Sequence, residues 1–130
     1  MLSDNVTLFW GCMAMFKQRV LFFYEDYFWD VFETLNQESQ EKFNRILRLI
    51  STTENISKSI FKHVTDSRGL FEIRIETLTG RYRVFCFFDR NNRLIIINGF
   101  LKKSANTPKK ELQKAMRIRK EYFTNVIDSN

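Results

Sequence analysis

The sequence predicts an α+β fold: a small, antiparallel-rich β-sheet with an N-terminal helical hairpin on one face and a C-terminal helix. Three observations predict it. From Phe28 to Ile50 apolar residues recur at helical spacing, and after Gly69 they alternate. Between Gly69 and Phe100, three apolar runs are separated only by the turns "LTGR" and "DRNN", the pattern of an antiparallel meander. Beyond them, Thr107 as N-cap with Pro108 at the first helical position sets a helix start.

Each element has its own signal. From Arg19, "RVLFFYEDYF" is dense in β-branched and aromatic residues, which places a first strand around 19–25. Phe28, Val31, Phe32 and Leu35 then recur at helical spacing. Asn36 caps a second helix with Phe43, Ile46, Leu47 and Ile50 on one side and Glu38, Glu41, Arg45 and Arg48 off it. Two periodic segments with a short break read as a helical hairpin. Residues 53–70 read as irregular and polar. In "LFEIRIET", Phe71, Ile73 and Ile75 alternate with Glu72, Arg74 and Glu76, a half-buried strand. "YRVFCFF" is the next strand, and the continuous apolar run "RLIIINGF" suits a central strand covered on both faces. Leu112, Ala115, Met116 and Tyr122 give the last helix an inner side. With the helices packed on one face, little chain is left for the other. That leaves an uncovered concave sheet face as the place to look for function.

Bulk composition narrows the class. A chain of 130 residues with fourteen phenylalanines can bury one core, so it reads as a single domain over 16–125 behind a poorly defined extension, 1–15. Residues 1–60 carry six Lys/Arg against eight Asp/Glu, a balance of −2, whereas residues 61–130 carry fifteen against seven, a balance of +8. Such asymmetry points to a polyanionic partner. Cys12 and Cys86 match neither a metal spacing nor a disulfide framework and suit a reducing, cytoplasmic setting. The early apolar stretch "LFWGCMAMF" is far shorter than the roughly 18 residues of a membrane span. It also has no basic region before it to make a secretory signal, so no membrane association is expected. The sequence holds no phosphate-binding glycine loop, nucleophile elbow or metal-ligand cluster. Glu72 and Glu76, with Arg74 between them, read as a cross-neutralised surface rather than an acid pair.

What remains is a set of basic residues. Arg74 and Arg83 sit mid-strand in apolar settings, where a charge is costly unless it faces a groove. By alternation Arg83 points away from Val84, Cys86 and Phe88, on the side of Phe85 and Phe87. An arginine beside aromatics suits RNA, whose bases stack on rings while a guanidinium holds phosphate, so Phe85 is a candidate stacking residue. Lys62 and His63 precede the sheet, Lys102 and Lys103 leave it, and Lys109 and Lys110 open the last helix. Lysines at a helix N-terminus oppose the local dipole, and a phosphate-binding rim would give them a purpose.

The pieces "LFEIR" (70–74), "YRVFCFF" (82–88), "NGFLKK" (98–103), "TPKKELQKA" (107–115) and "KEY" (120–122) together resemble the RelE/ParE toxin superfamily, specifically its phage-derived, HigB-like branch. Over residues 69–122 both order and spacing agree, and from 19 to 68 only the layout does. The resemblance implies a RelE-like fold and the toxin of a type II toxin–antitoxin system. Such a toxin is a ribosome-dependent endoribonuclease, an mRNA interferase that inhibits translation by cutting mRNA in the ribosomal A site, with no metal or cofactor. It also implies a cognate antitoxin, a small helix-turn-helix protein encoded next to it. By the same resemblance Arg83 matches the phosphate-stabilising strand arginine and Arg74 a functional basic position one strand earlier. Lys102 and Lys103 fall where relatives place basic residues after the last strand, with Lys109 and Lys110 flanking the RNA. Lys62 and His63 fall near the basic residue preceding the sheet, which makes His63 the leading acid/base candidate, with Arg74 or a lysine as fallback. Cys86 stands where branch members carry Tyr. Where many relatives place a Tyr or His near the C-terminal end of the site, this chain runs Lys102-Lys103-Ser104-Ala105-Asn106, with Tyr122 too far along the helix to substitute. Two other readings stay open: a ParE-like toxin that inhibits gyrase without cutting anything, and a basic RNA-binding module.

Overall fold

The computed structural model describes residues 18–128, with side chains through Asn125. Its elements are β1 (Leu21–Phe23), α1 (Tyr27–Phe32), α2 (Gln37–Thr52), β2 (Phe61–His63), β3 (Phe71–Glu76), β4 (Arg81–Phe88), β5 (Leu94–Lys102) and α3 (Lys109–Asp128). The extension assigned to 1–15 lies outside the described residues.

One five-stranded sheet, ordered β1-β5-β4-β3-β2, forms the middle layer. The meander β3-β4-β5 is antiparallel as expected, and β1 adds in parallel to β5, pairing Leu21 with Leu94 and Phe23 with Ile96. β1 is shorter than the aromatic run suggests because Glu25 takes φ 52°, turning the chain into α1. β2 corrects the reading of 53–70 as wholly irregular: Phe61, Lys62 and His63 pair antiparallel with Ile73, Glu72 and Phe71. Three residues are too few to display a period.

On one face, the hairpin α1–α2 lays Phe28, Trp29, Phe32, Phe43, Leu47 and Ile50 over Ile73, Ile75, Val84, Cys86, Leu94 and Ile96. α2 begins where its sequence says, with the Asn36 side chain accepting from the Ser39 N–H at 2.9 Å. The second face is not uncovered. Phe85, Phe87, Ile95, Ile97 and Phe100 form an apolar row there, and α3 buries it with Ala115, Ile118 and Tyr122. A row that large has no stable exposed state, so the C-terminal helix closes a third layer.

α3 also departs from its expected cap. The Pro108 carbonyl receives the first helical bond, from the Leu112 N–H at 3.1 Å, while the Thr107 hydroxyl turns to the sheet. β5 carries one extra residue opposite β4: Val84 pairs with Gly99 but Cys86 with Ile96, so Ile97 and Asn98 together face Phe85. That bulge lets Asn98 Nδ2 donate to the Glu111 carbonyl and to its Oε1, at 3.3 and 3.4 Å, tying β5 to the first turn of α3. Glycine eases the packing at 99, where a Cβ would lie a tight 3.1 Å from the Arg83 carbonyl oxygen and 3.2 Å from Val84 Cγ2.

Candidate functional site

Strand pairing decides which charges meet. Residues 72, 74 and 76 of β3 alternate away from Ile73 and Ile75, onto the α3 side of the sheet. Arg83 pairs with Arg74, and Arg81 with Glu76, so all five charges share that face. Lys62 joins them as the ladder partner of Glu72, and Lys102 as the partner of Arg81. Five cations against two carboxylates leave this face at +3.

Glu72 is the centre of the cluster and is 5% exposed. Its Oε1 lies 3.1 Å from Arg74 Nε and 3.3 Å from Arg83 Nε. Its Oε2 accepts from the Thr107 hydroxyl at 3.4 Å, which brings the start of α3 against the sheet. Arg83, also 5% exposed, reaches Glu76 Oε1 at 3.5 Å through Nη1 and donates from the same atom to the Tyr82 carbonyl at 3.0 Å. Its Nε has close charge contact with Glu72 but no well-directed hydrogen bond, so that donor is unspent. Arg74 is more open, its side chain 29% exposed, while its backbone N–H is held by the Ile60 carbonyl at 2.7 Å. Chemically, this is a buried carboxylate acceptor held between two guanidinium groups, one of which reaches solvent.

The sequence-predicted residues separate into three groups. Arg74, Arg83, Lys62 and Lys102 come to one face. Lys103, Lys109 and Lys110 are exposed on the loop and helix start that carry Thr107 to it. His63 and Phe85 do not join. His63 pairs with Phe71, its ring 5.3 Å from that of Phe71, which packs against the hairpin core; it therefore stands on the opposite face from Arg83. Phe85 is fully buried beside Phe100 beneath α3, where no base can stack on it. Sequence reasoning missed Glu72, which it set aside as surface. The available signal was that it alternates onto the face of Arg83, but only the β3–β4 register places Glu72 opposite Phe85 in the core.

A second polar cluster is structural. Tyr122 donates to Asp89 Oδ2 at 2.9 Å, Arg93 Nε contacts the same oxygen at 2.9 Å, and Asp89 Oδ1 accepts the N–H groups of Asn91 and Arg93. It pins the β4–β5 turn to α3.

Fold and site together define a small basic sheet protein whose C-terminal helix starts at a carboxylate–guanidinium cluster. The chain belongs to the family described as phage-derived protein Gp49-like (DUF891), whose pattern matches residues 30–120. This is a phage-derived, toxin-like family. The matched span includes β2 to β5 and the first turns of α3, hence the whole cluster. No curated protein is similar enough to match the chain. Among the described residues, no helix is long and apolar enough to cross a membrane.

Proposed function

We propose that the protein is the toxin of a type II toxin–antitoxin pair and an endoribonuclease that cuts mRNA in the ribosomal A site, held in check by an antitoxin encoded beside it. The observation that carries this reading is the Glu72–Arg74–Arg83 cluster on the face where α3 begins. RNA cleavage by internal transesterification needs an acceptor for the 2′-hydroxyl proton and cations for the charge gathering on phosphorus. In this reading Glu72 takes the proton as the 2′-oxygen bonds to phosphorus, once the substrate displaces Thr107 from its Oε2. Arg74, with Arg83 behind it, stabilises the non-bridging oxygens. As the bond from phosphorus to the 5′-oxygen breaks, Lys102 or water supplies the proton that oxygen takes. Lys62, Lys103, Lys109 and Lys110 hold the flanking phosphates. The HigB-like branch fits the Arg83 and Lys102–Lys103 positions.

One observation favours a second reading. Arg83 is nearly closed off and balanced by Glu72 and Glu76, which leaves it little free charge for a phosphate and suits a toxin that cuts nothing, of the gyrase-inhibiting kind.

Induced expression of the parent, Arg74→Ala and Glu72→Gln, with growth curves, primer extension on mRNA and circular dichroism, separates the two. The cleavage reading expects mRNA breaks from the parent, reduced about 10²–10³-fold in folded Arg74→Ala, the usual cost of one oxyanion-stabilising group. Growth arrest with intact mRNA and an SOS response would select the gyrase reading.

A further inference from the structure

Away from the Glu72 cluster, the second half of α3 makes a cavity with the β2–β3 loop and the β4–β5 turn. Its volume is about 750 Å³. Arg68, Arg90, Arg117, Arg119 and Lys120 line it, and no carboxylate among the described residues does. Arg119 is the innermost cation. Its guanidinium sits 4.8 Å from the Phe123 ring centroid and 5.8 Å from that of Phe87, and its buried Nε has no hydrogen-bond partner. Burial, followed by the nearby charge of Arg68, pushes its pKa down, the sign of a cation held where it lacks a counter-ion. The neighbouring loop is fixed rather than loose. Ser67 is buried, its hydroxyl donating to the Val64 carbonyl and accepting from the Leu70 N–H, and Arg68 takes φ 60°.

Folding has thus brought like charges from three separate elements around one cavity, an arrangement that repels itself unless an anion completes it. Four of the five are arginines, whose planar forks match phosphate oxygens, and Phe123 adds a ring on which a base can stack. A single acidic side chain would satisfy one or two of these cations, whereas a nucleic-acid backbone supplies charge repeatedly along its length. Arg119 lies ten helical residues beyond Lys109, about 15 Å along the axis, so one strand can touch both places.

We propose that this cavity is a second, non-cleaving subsite for single-stranded RNA, with phosphodiester groups on Arg119, Arg68 and Arg90 and a base against Phe123. The inference rests on the RNA reading above and adds to it where the strand is held beyond the cut.

The test is fluorescence anisotropy with a short labelled single-stranded RNA, 2′-O-methylated so that it cannot be cut, on the full chain. Arg119→Gln should weaken binding about tenfold and flatten the salt dependence by about 0.7 in log–log slope for each phosphate no longer held. The double variant Arg68→Asn/Arg90→Ala should behave alike. Both of its positions are exposed, and Asn tolerates the left-handed backbone at 68, so it decides the matter even if Arg119→Gln fails to fold. RNA binding that both variants leave unchanged overturns the subsite and leaves the cleavage reading standing. A parent that cuts mRNA in cells yet binds this RNA nowhere likewise overturns the subsite alone. A parent that neither binds RNA nor cuts mRNA overturns both. A poly-glutamate peptide that outcompetes the RNA and loses its hold in the same variants would assign the cavity to an acidic protein segment instead.

Discussion

Glu72 and Arg83 are each 5% exposed, and at that depth a charge is tolerable only in company. Removing one partner strands the other. Glu72→Leu should cost about 3 kcal/mol, because Arg83 would keep only the more distant Glu76 and a carbonyl. Glu72→Leu/Arg83→Met, replacing both by apolar groups, should recover most of it. Urea unfolding of the single and double variants checks this, and a double variant as weak as the single would show that the ion pair itself supplies the stability. Asp89 makes a pH prediction. Burial alone would raise its carboxyl pKa, but the Arg93 and Asn91 backbone N–H groups, the Tyr122 hydroxyl and the Arg93 guanidinium together hold it below the usual carboxylate range. Its folded pKa therefore lies below the unfolded value of about 4, so its contribution is present above that pH and lost as pH falls through the folded value. Asp89→Asn should flatten the acid limb of Tm against pH while lowering Tm at neutrality. An unchanged acid limb would mean that other carboxylates carry it.

At the level of elements, α3 decides what the sheet presents. Ile118 is 2% exposed and packs in the apolar cluster that covers the second face. Ile118→Ala should lower stability by about 2–5 kcal/mol, the range for large-to-small changes in a core. It should also raise binding of an apolar dye, since the Phe85–Phe87–Phe100 row lies beneath. Asn36→Ala, which removes a cap from α2 without opening a cavity, should cost only about 1 kcal/mol and leave dye binding alone. Equal dye response from the two variants would mean that α3 is not what seals this face. The cap at Asn36 and the Phe43–Leu47–Ile50 stripe were legible in sequence because both are local. The course of α3 over the second face was not, because nothing in its own period says which apolar surface it will meet.

Across the whole molecule, charge is divided as the sequence says, with the surplus of cations in residues 61–130. Folding gathers that surplus into two places, the sheet face around Arg74 and Arg83 and the cavity around Arg119. Association with the proposed antitoxin, through an acidic segment, should accordingly weaken as salt rises, with most of the change in the association rate. Kinetics of complex formation over a salt series would show it, and a salt-insensitive rate would point to an apolar contact instead.

Periodicity, the Asn36 cap and the meander turns are written within a few residues of where they act, so the sequence by itself determined every element type but the three-residue β2, the β3-β4-β5 order and the charge asymmetry. The motifs that resemble a toxin family are local in the same sense, and they fall within the matched span. Neighbours across strands are a different matter. Alternation puts a residue on one of two faces, but register decides what lies beside it, and a shift of one residue exchanges the faces. Only the tertiary structure therefore put His63 on the hairpin side, sealed Phe85 beneath α3, and set a carboxylate, Glu72, between Arg74 and Arg83. The physical reason is that burying the second apolar face fixed where α3 had to lie, and Thr107 came to Glu72 with it.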